Sequence, residues 1–323
     1  MALSYEFSIG SVRAKENSLL READIEMMIS LKSEKELVRH LKDKGYGQGE
    51  TTDEILASNE EKMWKYIRSI APDMELFEPF LIQNDIHNLK TVLKGTMSDR
   101  DYDTLLMEPC TIKKDELVKA VENRRFDSFP QWLQRPASRA YQILAETKDA
   151  RLSDAYIDRG LLDRLVFVGD HSRSVFLKAY FNEMVYYADI KTALRGAKLG
   201  VSRYYLEKAV ADCEGLDKAE LVKTALQGHE ALIKYLKTQD SYDCKKAAEI
   251  YVTSPSGFEK FTEDHLMDTA KRLCKMSSEG PEPLLGYYIA CVYERKTIYL
   301  ISCGLKTAVS AETIRERLRE LYG

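Results

Sequence analysis

Apolar residues recur three and four apart along nearly the whole chain, the spacing that lays a stripe down one face of an α-helix. The stretches "SEKELVRHLKDKGYG" and "TTDEILASNEEKMWKYIRSI" show it, and both open on a helix-start signature, Ser33 with Glu36 and Thr51 with Glu54. The run nearest to a strand, "LVFVGD" at Leu165–Asp170, is short and flanked by helical spacing, so it reads as a helix end or turn. Breaks are expected at "KGYGQGE", at Ser254–Gly257 and at Ser277–Pro283, and none has the length of a free linker. The pattern predicts an all-α fold.

One helical pattern returns. "NDIHNLKTVLKG" (residues 84–95), "YADIKTALRGAKLG" (from Tyr187) and "ERKTIYLISCGLKT" (from Glu294) align on Gly95, Gly196 and Gly304. Gly196 follows Gly95 by 101 residues and Gly304 follows Gly196 by 108, each close to a third of the chain. In that alignment Leu89, Ile190 and Ile298 coincide, as do Val92, Ala193 and Ile301. These apolar pairs, three apart, are expected on one buried face. A small polar residue, Asn88, Asp189 or Thr297, precedes the first of each pair, and the glycine is expected to end its helix in the left-handed conformation. A Glu-Leu-Val triplet at Glu36, Glu116 and Glu220, early in a helix each time, strengthens the repeat. The third copy differs: Tyr299 stands where Lys90 and Lys191 stand, and Tyr287–Cys303 is apolar nearly all round, as in a helix enclosed by neighbours or by a partner.

Composition narrows the class. Eight prolines and sixteen glycines in 323 residues are few, which favours long helices over a turn-rich β-sandwich. A net charge of −4 gives no electrostatic case for nucleic acid. No apolar run is long enough to span a bilayer, and the start has no basic segment leading into an apolar one, so a secretory signal is not expected. Six cysteines lie scattered with no close pair, the usage of reduced, buried thiols.

The usual catalytic signatures are missing. There is no G-x-x-x-x-G-K-[ST] loop, no H-E-x-x-H and no G-x-S-x-G elbow, and the glycines at 45, 47 and 49 have neither dinucleotide spacing nor a preceding strand. The five histidines are far apart in sequence. No cofactor, nucleotide or metal is expected. The tyrosine doublets at 186–187, 204–205 and 287–288 fit either helix packing or a protein interface. Such a chain suits holding better than converting.

The helix Asp85–Gly95, with its polar-x-x-Asn-Leu-Lys-x-x-Leu-Lys-Gly form, resembles the recurring helix of the C subunit of the bacterial and archaeal V/A-type rotary ATPases, the d subunit in eukaryotes. "AYIDRGLLDRL" followed by "SVFLKAYFNEMVYYADIKTALRGAKLG" is similar to that family's middle repeat, and "GLKTAVSAETIRERLREL" to its C-terminal helix. Asp189 and Thr297 depart from an asparagine frequent in the family, and Gly160 falls in a segment usually more helix-friendly. The resemblance implies three similar helical domains in a pseudo-three-fold funnel, here 1–108, 109–213 and 214–323. It implies a non-catalytic central-stalk subunit on the cytoplasmic face of the membrane, coupling the shaft subunits of the soluble head to the membrane proteolipid ring during ion transport. Asp85, Asn88, Asp189, Arg195, Glu294 and Arg295 are then expected at the inside or rim of the funnel, against the shaft, unless they are simply solvated helix faces. Two other readings stay open on the residues alone. A helical-repeat scaffold of an unrelated assembly would form an open superhelix. An enzyme built from scattered residues would gather buried carboxylates in a closed pocket.

Overall fold

The computed structural model describes residues 4–98, 100–239 and 241–323. Among them every regular element is helical and no strand occurs, as the spacing predicts. In chain order the α-helices are α1 Tyr5–Glu16, α2 Glu22–Ile29, α3 Glu34–Asp43, α4 Thr52–Ile70, α5 Glu78–Ser98, α6 Lys114–Glu122, α7 Gln131–Thr147 and α8 Ala150–His171. They continue as α9 Val175–Leu199, α10 Arg203–Ala209, α11 Lys218–Leu226, α12 His229–Thr238, α13 Tyr242–Thr253, α14 Pro255–Ala270, α15 Glu282–Lys306 and α16 Ala311–Arg317. The strand-like run at 165–170 lies inside α8. The predicted starts are real: Ser33 Oγ accepts from Glu36 N (3.3 Å) and Thr51 Oγ1 from Glu54 N (3.2 Å). The two glutamates reach back one residue beyond the cap, to Lys32 N and Glu50 N.

The chain divides into two compact units. One joins both ends of the chain: residues up to Met74, Ser174–Phe176 and Glu249–Gly323. Its centre is α15, whose Ile298 and Ile301 pack with Leu37, Leu41, Ile55 and Ile314 of α3, α4 and α16. Trp64 of α4 stacks obliquely on Tyr288 at 5.3 Å. The Arg13 guanidinium donates to the Cys274 and Ser277 carbonyls (3.0 and 2.7 Å), tying α1 to the π-helical turn Lys271–Lys275 that extends α14. The near-uniform apolarity of α15 is thus explained by enclosure; Arg295, Lys296, Tyr299 and Lys306 are its exposed side chains between Glu294 and Lys306.

The other unit holds Glu75–Arg173 and Leu177–Ala248. Leu89, Val92, Leu117, Leu133, Ala137 and Ile157 are in its core. Helices α7 and α8 pack closely because Gly160 has no Cβ; one placed there would sit 2.7 Å from Cγ of Pro136. The helix-averse glycine inside α8 is therefore the counterpart of a proline inside α7. Two ion pairs, Lys90–Asp158 and Lys94–Asp154, each 2.6 Å, join α5 to α8.

The repeat has a local geometry that the alignment did not anticipate. Gly95, Gly196 and Gly304 lie inside α5, α9 and α15, and none has a positive φ, so the left-handed ending expected at these glycines is corrected. Each glycine carbonyl accepts from the amide five residues on: Arg100 (3.1 Å), Val201 (3.2 Å) and Val309 (3.0 Å). That is the closing bond of a Schellman ending. The left-handed residue comes four places after the glycine, at Gly200 (φ 62°) and Ala308 (φ 52°). The glycines themselves are selected by close approach. A Cβ on Gly196 or Gly304 would lie 2.7 Å from Leu206 or 2.5 Å from Ile314, and one on Gly95 would overlap the Tyr102 ring. Leu206 and Ile314 stand ten residues after their glycines, on short helices capped by Ser202 and Ser310.

Candidate interface residues

The aligned helices α5, α9 and α15 position every predicted partner-binding residue. Asp85 is fully buried. Its carboxylate accepts from Thr111 N (3.0 Å), Ile112 N (2.9 Å) and Thr111 Oγ1 (2.5 Å), which pins the loop that leads into α6. Burial pushes its pKa up and these donors pull it back. Asn88, one turn on, is buried too and clasps Met107 at both its amide (2.7 Å) and its carbonyl (3.0 Å).

Asp189 occupies the Asn88 position of the second copy. It accepts from Ala211 N (2.8 Å) and the Cys213 thiol (3.8 Å). Burial outweighs those bonds and the nearby Arg159 and Lys218 charges, so its pKa is raised to about 7. Glu294 occupies the Asp85 position of the third copy. It accepts from the Leu20 amide and from Tyr46 Oη (2.7 Å), and burial raises its pKa to about 7. All four groups do the same thing. A polar side chain on a long helix holds a neighbouring segment, and most of the donors it satisfies are backbone amides that helix and loop leave open. The four are engaged inside their own units and are not presented at the surface.

The two arginines are placed differently. Arg295 is exposed and pairs with Glu60 of α4. Arg195 is exposed and lines a cleft of about 710 Å³ between α8, α9 and α10 with Arg151, Asp154, Asp158, Lys191 and Tyr205. Arg195 is the counterpart of Lys94, which has an ion pair with Asp154, whereas Arg195 forms no ion pair among the described residues. Of the tyrosine doublets, Tyr187, Tyr287 and Tyr288 are core residues, and Tyr204 is exposed with its hydroxyl on that of Tyr156 (2.9 Å). The doublets mainly serve packing. The carboxylates are dispersed along three helices and do not converge on a closed pocket.

A profile of the ATP synthase (C/AC39) subunit family matches residues 8–317. The chain belongs to that family. Individual relatives agree. The C subunit of the V-type sodium ATPase of Enterococcus hirae is 21% identical over 321 residues, covering 96% of this chain and 97% of its own. The C subunit of the A-type ATP synthase of Methanocaldococcus jannaschii is 22% identical, covering 98% and 86%. Its counterpart in the V-type ATP synthase of Thermus thermophilus is 22% identical over 64% of this chain and 68% of its own. Among the described residues of this C/AC39-family chain no helix is long and apolar enough to cross a membrane. Sequence reasoning missed what the repeated polar position does, because a polar residue beside an apolar pair looks the same whether it faces solvent or a buried amide. The usable signal was its fixed place, seven residues before a glycine that itself faces the core.

Proposed function

We propose that the chain is the non-catalytic central-stalk subunit of a V/A-type rotary ATPase, carrying torque between the shaft of the soluble head and the membrane proteolipid ring. The family match over nearly the whole chain carries this reading. Its three repeated helix endings support the pseudo-three-fold funnel of domains 1–108, 109–213 and 214–323. A torque-bearing socket needs stiffness, and buried side-chain latches on long helices supply it at each copy. The shaft contact belongs to the exposed Arg195 and Arg295, with Asp85, Asn88, Asp189 and Glu294 setting the frame that presents them. The subunit binds no nucleotide and works as a peripheral protein on the cytoplasmic face.

Deleting the chain from the whole enzyme is the test. ATP hydrolysis by the detached head should persist while ion pumping is lost. Loss of hydrolysis by the isolated head would make the chain part of the catalytic machinery and overturn the reading. Reversing charge at Arg195 and Arg295 together should weaken capture of the shaft subunits by several-fold, and Arg195→Glu alone, which breaks no ion pair among the described residues, should weaken it with the melting temperature unchanged.

A further inference from the structure

The third copy lacks something that the first two possess. At the position seven residues before the repeat glycine, Asn88 holds the main chain of Met107 and Asp189 that of Ala211. Thr297 stands there in α15. It is 3% exposed, and its hydroxyl, closed off from solvent, has no hydrogen-bond partner among the described residues. Buried hydroxyls are rarely left so. Thr297 lines a cavity of about 370 Å³ between α15 and α16, floored by Leu300, Cys303, Ile314 and Leu318. The chain does not fill it, because after Leu318 the C-terminal tail leaves α15 for α14: Lys260 Nζ donates to the Leu318 carbonyl and Glu320 N to Asp264 (2.7 Å).

Charge identifies what fits. In each filled copy the residue after the clasped one is acidic and is held by a nearby cation. Glu108 follows Met107 and pairs with Lys114 (3.5 Å); Asp212 follows Ala211 and pairs with Arg159 (2.9 Å). At the empty slot, Lys296 and Arg319 share Glu263 (2.7 and 2.5 Å), and the exposed Arg317 has no ion pair among the described residues. Three cations against one carboxylate leave the rim positive. We propose that this slot binds an extended peptide segment of a partner protein, with an apolar residue followed by an acidic one. Its apolar side chain covers Leu300 and Ile314, and its carboxylate meets Arg317. Tyr299, 54% exposed at the mouth, closes over it. The proposal does not depend on the rotary reading.

The test uses the full chain and a capped, fluorescein-labelled peptide of residues 104–111 with Cys110 replaced by serine, since that segment fills the equivalent place in the first copy. Fluorescence anisotropy should show saturable binding, weakened at least tenfold (about 1.4 kcal/mol) by Arg317→Glu in the protein or by Glu108→Lys in the peptide. The protein variant should melt like the wild type, since it changes an exposed side chain. Absence of saturation up to about 1 mM, the weak limit for a specific contact, would overturn the proposal. So would binding indifferent to both charge reversals. Sedimentation with phosphatidylglycerol vesicles that Arg317→Glu abolishes, without peptide binding, would overturn it in favour of a lipid-reading rim.

Discussion

A carboxylate on an apolar helix face is costly unless its surroundings supply donors, and the three copies meet that cost in different ways. Asp85 has three donors, Glu294 two, and Asp189 one amide and a thiol. Asp85→Ala would strand Thr111 N, Ile112 N and the Thr111 hydroxyl in the interior, a loss of about 3 kcal/mol by urea denaturation. Asp189→Asn should be mild, because asparagine already serves at the same place as Asn88. It should also remove a pH dependence. The folded pKa of Asp189, about 7, lies above its ordinary value of 3.8, so the folded state binds the extra proton between those values. That contribution to stability is full below pH 4 and is lost as pH rises through 7. Wild type should therefore gain on Asp189→Asn by about 1.4 kcal/mol for each pH unit lowered between 7 and 5. Parallel stability curves for the two proteins across that range would show that the buried carboxylate stays ionised.

Helices α5, α9 and α15 each close with a bond to the repeat glycine's carbonyl, and the parts of that ending are separable. Ala308 occupies the left-handed place that Gly200 fills in the second copy, with φ of 52° against 62°. A Cβ is disfavoured there, so Ala308→Gly should raise stability by about 0.5–1 kcal/mol and Gly200→Ala should lower it by a similar amount. Gly95→Ala should be worse, about 2 kcal/mol, since the new methyl drives into the Tyr102 ring. Gly304→Ala should cost less, because it meets the flexible end of Ile314. Elements were also what the sequence made most legible. Periodicity found the helices, the Ser33 and Thr51 starts, and the burial of Leu89, Ile190 and Ile298, because those follow from local rules and a core-facing stripe. The Glu-Leu-Val triplets found a real element as well: Glu36, Glu116 and Glu220 are third residues of α3, α6 and α11, and each following leucine is fully buried. Alignment found the glycines but assigned them the wrong reason. The approach of Tyr102, Leu206 and Ile314 is a tertiary contact and leaves no mark within the helix itself. For the same reason Asp85 and Asp189 read as surface groups: their partners lie more than twenty residues away, in connections without periodicity.

On the scale of the molecule, the two ends of the chain build one unit. Helices α2, α3, α4, α15 and α16 share a core around Ile298 and Ile301, α1 and α14 belong to the same unit, and the last residues fasten it. Lys275 Nζ donates to the Tyr322 carbonyl (3.0 Å), the Tyr322 ring is 2% exposed, and Gly323 lies against the Leu20 carbonyl beside the amide that Glu294 accepts. Sequence distance is therefore a poor guide to cooperativity here. Removing residues 318–323 should weaken α2, α3 and α4, some 250 or more residues away in sequence, as much as α14 and α15. Losing one buried aromatic alone costs about 3–5 kcal/mol, comparable with the stability of a small domain. Hydrogen exchange followed by mass spectrometry can resolve this. Amides of residues 22–70 and 255–306 should exchange faster together in the truncated chain, while those of α6, α7 and α8, whose core shares none of these residues, should keep their protection. Faster exchange confined to α14–α16 would mean that the N-terminal helices hold their structure without the C-terminal ones, and that the shared core does not make the two ends one cooperative unit.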